Sequence, residues 1–396
     1  MLHRIQRAAE ALEPSLIAIR RHLHENPDRS GEEQPTAAYV ADALAARGIA
    51  SERVAGGTGV VATLPARGGD GRVLAIRVDL DALPIHEATG LPFASRRPGV
   101  MHACGHDVHT TLGLGAAMAL AELDDAPRGE VRLLFQPAEE TGAGARRMIE
   151  AGAMRDVSAI LGVHVFPTIA AGSIGVRYGA LTAAADGLEI VIHGEGGHGA
   201  RPHEAVDAIW IAAQIVTTLQ QAISRTQNSL RPVVLSIGQI SGGTAPNVIA
   251  DRARLLGTVR SLHPETRARL PGWIQGIVEG ITAAYGARAE VTVAPGSPSI
   301  QNDASLTALV ESAAREALGG GRVVVIDEPS LGAEDFAFYL DHAPGSMFRL
   351  GVGRAGVANA PLHNAQFSPD ESAIAVGVVT LAYAAHRFFH GPSAPR

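Results

Sequence analysis

Three short apolar runs, each leading straight into side chains that bind metals or carry protons, constrain this chain more than any other feature. VLAIRVDL ends in Asp79-Leu80-Asp81, VRLLFQ runs into Pro137-Ala138-Glu139-Glu140, and AILGVHV carries His164 near its end. Each run has the length of a buried strand, and a fourth, GVVATL, precedes them. Between them lies TTLGLGAAMALAEL, and upstream is TAAYVADALAARG, with apolar residues at helical spacing and a glycine stop. Apolar strands separated by helices predict a mostly parallel sheet covered on both faces. In such sheets the functional groups collect on loops at the carboxyl ends of the strands.

The alternation is interrupted once. From about residue 180 the order becomes LEIVIH, AVDAIWIAAQIVTTLQQAI, PVVLSIGQI, RARLLGTVRSL, TRARLPGWIQGIVEGITAAYG and AEVTVAP. That is strand, helix, strand, strand, helix, strand, the βαββαβ order of a ferredoxin-like unit. SLTALVESAAREALGG and VVVIDEP then resume the first pattern. The fold expected is α/β: a catalytic domain in two parts, 1–179 and 299–396, interrupted by a satellite domain at 180–298. A length of 396 residues accommodates two such cores.

Composition excludes several classes. A net charge of −7 argues against a nucleic-acid partner. No apolar window approaches the roughly 18 residues of a membrane span. The amphipathic start, MLHRIQRAAEALEPSL, lacks the apolar core of a signal peptide, so a cytoplasmic location is expected. Every basic residue is arginine, which rules out Schiff-base and P-loop lysine chemistry. Cys104, the sole cysteine, is either a free thiol or a metal ligand.

MHACGHDVHTT, at 101–111, concentrates His102, Cys104, His106, Asp107 and His109 beside a glycine. This density points to a zinc, manganese or cobalt type of site, with ligands drawn from several loops. If the loop is extended, Cys104 and His106, two apart, face one centre. Glu139 and Glu140 are adjacent on non-helical backbone, so one can bind metal while the other faces water. His164 and His363, the latter in APLHNAQF, complete the candidates. Taken singly, His164 reads as a satisfied core histidine, the glutamate pair as solvated surface and His363 as an ordinary loop residue. It is their joint placement at strand mouths that favours a shared site.

The whole series of motifs resembles the aminoacylase and carboxypeptidase family of dinuclear metallopeptidases. The likeness is strongest to the branch of hippurate hydrolases, indole-acetyl-amino-acid hydrolases and N-acetyl-diaminopimelate deacetylases. It runs through RRHLHENPDRSGEEQPTAAYV, RVDLDALP, MHACGHDVHTT, FQPAEE, GVHVFP, GGHGARPH, GTAPNVIAD, GTVRSL, GAEDFAFY and PLHNAQF, nearly the entire chain. The resemblance implies that Cys104, His106, Glu140, His164 and His363 bind two divalent metals, with zinc, manganese, cobalt and nickel all compatible. Cys104 would bridge them as thiolate, with Glu140 and His363 on one ion and His106 and His164 on the other. Glu139 matches the general base, acting on a hydroxide that the metal pair generates. His102 and His109 would be structural. Related branches carry a histidine ligand where this chain has Arg77, which leaves Asp79 to orient a ligand.

The same resemblance makes His198 of GEGGHGARPH a donor to the scissile carbonyl, reaching the site of a partner subunit. Asn247 and Arg260 match substrate-contacting positions, Arg260 as the carboxylate clamp. Without the family likeness all three read as ordinary loop or strand residues. The implied activity is metal-dependent cleavage of N-acyl amino acids, hippurate-like aromatic acyl substrates first and N-acetyl amino acids or acetylated diaminopimelate second. The implied assembly is a homodimer or higher homo-oligomer through the satellite domain. A dipeptidase or carboxypeptidase remains open, although an arginine that such relatives carry near VAPGSP is absent here. A silent metal-binding relative is also open, and the retained Glu139 argues against it.

Overall fold

In the computed structural model, which describes residues 1–66, 68–69, 71–123 and 128–390, two helices come first, α1 (Leu2–Glu25) and α2 (Gln34–Ala45). Strands β1 (Ala50–Val54), β2 (Gly59–Leu64) and β3 (Val73–Asp79) follow, then α3 (His106–Ala121), β4 (Glu130–Gln136) and α4 (Gly144–Glu150). Next are β5 (Ala159–Ala170), β6 (Ile174–Val176) and the two-residue β7 (Gly179–Ala180). The middle of the chain forms β8 (Ala184–His193), β9 (Gly197–His198), α5 (Ala208–Thr226), β10 (Val233–Gly242) and β11 (Val248–Ile249). It continues with β12 (Arg252–Ser261), α6 (Pro264–Ala284) and β13 (Arg288–Ala294). The last elements are β14 (Gln301–Asn302), α7 (Ala304–Leu318), β15 (Val323–Val325), β16 (Gly345–Gly353) and α8 (Ala373–His390).

These elements divide into two units. The first takes Met1–Leu181, Gln301–Glu328 and the chain from Asp335 onward; the second takes Thr182–Ile300 with a short return, Pro329–Glu334. In the first unit eight strands form one sheet in the order β1-β2-β4-β3-β5-β16-β6-β15. Its centre is parallel, with β4, β3, β5 and β16 running together, while β1, β2 and β4 pair antiparallel at one side. β3 is buried along its whole length, which explains a sequence of nearly continuous apolar residues instead of an alternating one. The register sets Asp79 beside Gln136 at the ends of β3 and β4. The loops that follow, carrying Asp81 and the two glutamates, are therefore neighbours.

Helix α3 is buried on every side, packed on α1, α8 and β3, so beyond its polar first turns it carries no solvent face. α8 is long and apolar enough to cross a membrane by length and composition, yet two-thirds of it is buried against α1, α3 and α7. It is a core helix. In the second unit four strands form an antiparallel sheet in the order β10-β12-β8-β13. Leu188, Ile190 and Ile192 of β8 pack with Ile211 and Ile215 of α5 and with Ile274 and Val278 of α6. The Asp207 carboxylate caps α5 by accepting from the Ile209 and Trp210 N–H groups.

Candidate metal centre and active site

Cys104 and His106 do converge, but not through extended backbone. Gly105 lies between them in the left-handed region (φ 83°), and His106 is already the first residue of α3. The sharp turn, not strand alternation, aims both side chains at one place. A side chain at 105 would be strained in φ, and its Cβ would sit 2.5 Å from Val165 Cγ2. Glycine is required there on both counts.

The two buried histidines have their ring protons assigned by their surroundings. His106 donates from Nδ1 to the Asp81 carbonyl oxygen (2.9 Å), and His164 donates from Nδ1 to the Val165 carbonyl oxygen (2.8 Å). In each neutral ring the proton sits on Nδ1, so Nε2 is the nitrogen with a lone pair to offer a cation. His164 Nε2 lies 3.5 Å from Cys104 Sγ. Glu140 Oε1 lies 3.4 Å from His363 Nε2 and 3.9 Å from His106 Nε2. The ligand atoms gather in two sets, Cys104–His106–His164 and Cys104–Glu140–His363, with all atoms of a set within 4.8 Å of one another. The sets share Cys104.

The donors fit divalent cations. His106 Nε2 and Glu140 Oε1 are buried and have no hydrogen-bond partner among the described residues, a costly state for a polar atom unless an ion satisfies it. Burial, with His109 and Arg349 adding to it, holds His164 well below the usual histidine range, so its imidazole is neutral and fit to ligate. Burial pushes the Cys104 thiol up to about 12 despite the nearby His106. For His106 burial works the other way, but the Asp79 and Asp81 carboxylates outweigh it and hold the ring well above its usual value. In the protein without ions Cys104 and His106 keep protons that a cation has to displace. His363, 53 % exposed, is raised by the neighbouring Glu140 carboxylate and has φ 64°. Ala138, just before the glutamates, also lies in the left-handed region (φ 52°). Two of the four non-glycine residues with positive φ among those described thus fall at this site, a place where strain commonly collects.

Glu139 is half-buried, and its backbone is fixed together with that of Glu140. Asp81 accepts the Glu139 N–H on Oδ1 (3.1 Å) and the Glu140 N–H on Oδ2 (3.0 Å). Glu139 also lies within reach of a set formed with His106 and Glu140. Another arrangement, Asp79–His106–His109, is close enough to hold an ion, but His109 has both nitrogens engaged. It donates from Nδ1 to Asp79 (2.6 Å) and accepts the Val165 N–H on Nε2 (2.8 Å). His109 is a strut, and Asp79 orients it; the residue that orients His106 is Asp81. His102 is buried, with neither ring nitrogen paired among the described residues, and burial drives it to about 4.

Sequence reasoning passed over a charged layer beneath the ligands. Arg77, fully buried, donates to Gln136 Oε1 (2.7 Å), Asp79 Oδ2 (2.7 Å) and Asp335 Oδ1 (2.9 Å). On the other side of the loop Asp107 accepts from His24 Nδ1 (2.8 Å) and lies 2.9 Å from Arg20 Nε, an ion contact without hydrogen-bond alignment. Arg20 and His24 stand in RRHLHENP and Asp335 in GAEDFAFY, but no spacing says that such polar residues turn inward.

Asp107 carries a testable consequence. Burial disfavours its charge, yet Arg20 and His24 outweigh burial and hold the carboxyl well below the usual range. That stability is present above the unfolded carboxyl pKa of about 4 and is lost as pH falls. His24 is raised by Asp107 and Glu87 against its burial, so its contribution is present below about pH 6.5 and fades as pH rises through the raised value. Asp107→Ala leaves Arg20 buried beside the more distant Glu371 and is expected to cost about 3–5 kcal/mol. Urea titrations at pH 5.5 and pH 3.5 check this, because the wild-type advantage should shrink at the lower pH.

The second unit holds the other sequence candidates. His198 and Asn247 are neighbours there: β9 pairs with β11, and the Gly199 N–H donates to the Asn247 carbonyl oxygen (2.8 Å). His198 is exposed and accepts the Ala200 N–H on Nδ1 (3.1 Å). Arg260 stands apart from them on β12, and its Nη1 donates to the Leu331 carbonyl oxygen (2.7 Å).

A probable hydrolase of Synechocystis is 62% identical over 97% of this chain and 98% of its own length. The N-acetylcysteine deacetylase of Bacillus subtilis is 44% identical over 93% of this chain and 95% of its own. A crystal structure from Bacillus subtilis, of a dinuclear metal binding peptidase from the M20 family, matches with a TM-score of 0.86 and 40% identity, covering 96% of this chain and 99% of that one. The pattern of peptidase family M20/M25/M40 matches residues 75–387. With four-fifths of its length inside that pattern, the chain belongs to peptidase family M20/M25/M40, a family of hydrolases.

Proposed function

We propose that this enzyme hydrolyses the amide bond of N-acyl amino acids, N-acetyl amino acids first and hippurate-like compounds second. The observation that carries the reading is Glu139 beside two complete ligand sets that share Cys104. The deacetylase relative supports an acetyl group ahead of an aromatic one. Cys104, His106 and His164 would hold one divalent ion and Cys104, Glu140 and His363 a second. When bound, the pair supplies Lewis acidity to the amide carbonyl and lowers the pKa of the attacking water.

Glu139 takes the proton from that water and returns it to the leaving nitrogen, so water adds across the C–N bond and yields a carboxylic acid and a free amino acid. His198 is assigned as a donor to the developing oxyanion in the site of a partner subunit. Its Nδ1 already accepts a backbone N–H, which puts the ring proton on Nε2. Asn247 and Arg260 are assigned to the substrate, Arg260 to its carboxylate. Assembly into a homodimer through the second unit, as the resemblance suggests, belongs to the same proposal.

The test is a panel of N-acetyl amino acids, N-acetylcysteine among them, with hippurate and dipeptides, assayed for released amino acid. Metal-stripped protein would be restored singly with zinc, manganese, cobalt or nickel. Turnover of acyl amino acids well above dipeptides is the expected result. Faster turnover of dipeptides would make the enzyme a peptidase instead, and no turnover with ions bound would make it a silent relative.

A further inference from the structure

We propose that Asp81, assisted by Glu33, is a positioning residue that fixes the general base and a ligand of each candidate ion through one carboxylate and one carbonyl. The proposal rests on the reading of Glu139 and the ligand sets given above. Three successive backbone N–H groups, those of Ala138, Glu139 and Glu140, point at two buried carboxylates. Glu33 Oε1 accepts the Ala138 N–H (2.8 Å) and also that of Gly31 (2.9 Å). Asp81 Oδ1 takes the Glu139 N–H, while Oδ2 takes the Glu140 N–H and the Ser30 hydroxyl (2.6 Å). A run of N–H groups turned to one side by a left-handed residue is a ready anion nest, and here its anion is the protein's own.

The turn needs that anchor. Pro137 contributes no N–H, and Ala138 at φ 52° sits in a conformation that alanine avoids when nothing holds it. Gly144 packs against the back of the turn, where a Cβ would sit 1.6 Å from the Pro137 carbonyl oxygen, so the turn is enclosed from that side. The Asp81 carbonyl meanwhile receives His106 Nδ1. Base, Glu140 and His106 are thereby referred to a single residue. Asparagine cannot replace it: two oxygens each meet an N–H donor, and the amide would set an NH2 group against one of them.

The experiment uses the full chain with Asp81→Asn, Glu33→Ala and the milder Ser30→Ala. Amide hydrogen exchange over residues 137–142 of the metal-free protein reads the clamp directly. Exchange should accelerate at Glu139 and Glu140 in Asp81→Asn and at Ala138 in Glu33→Ala, with the β3 and β4 amides unchanged. In cobalt-loaded protein the Asp81→Asn visible spectrum should shift. On the best substrate, kcat should fall by roughly 10–100-fold with KM changed by less than about threefold, the usual range for losing such a support.

Wild-type exchange, spectrum and kcat in Asp81→Asn would overturn the proposal, as would a lowered melting temperature with those three readouts unchanged. If Asp81→Asn does not fold, Ser30→Ala decides through the same exchange measurement. Should wild-type protein turn over no amide, the proposed function fails, while exchange and the cobalt spectrum still decide the clamp.

Discussion

Glu139→Ala is expected to lower kcat by about 10²–10⁴-fold with bound metal undiminished, the range for removing a general acid–base. The adjacent glutamates are divided in role by the turn that presents them. Glu140 Oε1 is buried against His363 and His106, whereas Glu139 is half-buried and belongs to neither of the two sets that share Cys104. Losing Glu139 should therefore cost proton transfer, and losing Glu140 should cost an ion. Steady-state kinetics together with metal analysis of Glu139→Ala and Glu140→Ala separate the two. Loss of metal from Glu139→Ala would show Glu139 to be a ligand and would remove the base from the account.

The second large effect is expected at Arg77. Its guanidinium is the cation for both Asp79 and Asp335, all three with side chains fully out of solvent. Arg77→Leu leaves both buried carboxylates without that cation, Asp335 keeping the Gln136 amide and the Ala145 N–H and Asp79 keeping His109. A cost of about 3–5 kcal/mol is expected from breaking a buried pair by removing one partner. The damage should also spread: Asp79 orients His109, His109 holds the Val165 N–H, and Gly105 packs on Val165. A lowered urea midpoint, partly recovered when Asp335→Asn is added, is the expected result. An unchanged midpoint would show that the layer contributes no net stability.

Much of the first unit could be read from the sequence because burial leaves a plain signature. VLAIRVD is nearly all apolar since β3 is covered on both faces, and the loops after β3 and β4 bring in Asp81, Glu139 and Glu140. The βαββαβ order was legible for a similar reason: β8 and β13 alternate in burial along a one-sided sheet. What could not be read is geometry that depends on one dihedral. Nothing in CGH distinguishes an extended loop from the left-handed turn at Gly105, and nothing in PAEE announces a positive φ at Ala138.

Buried charge was equally hidden. Arg20, Arg77, Asp81 and Glu33 have compositions typical of surface, and only the tertiary partners that compensate them allow them inside. Asp79 and Asp81 stand two apart on the chain and do different work. Asp79 meets Arg77 and His109, and Asp81 meets the glutamate turn. Residue type and spacing give no means of separating them.

The most direct test of the central claim is a crystal structure of the cobalt- or manganese-loaded protein, with anomalous scattering recorded at the metal's absorption edge. Two peaks are expected, roughly 3.5–4 Å apart, with Cys104 Sγ shared between them. His106 and His164 should lie on one side and Glu140 and His363 on the other. A single peak, or a peak seated on Asp79 and His109, would contradict it.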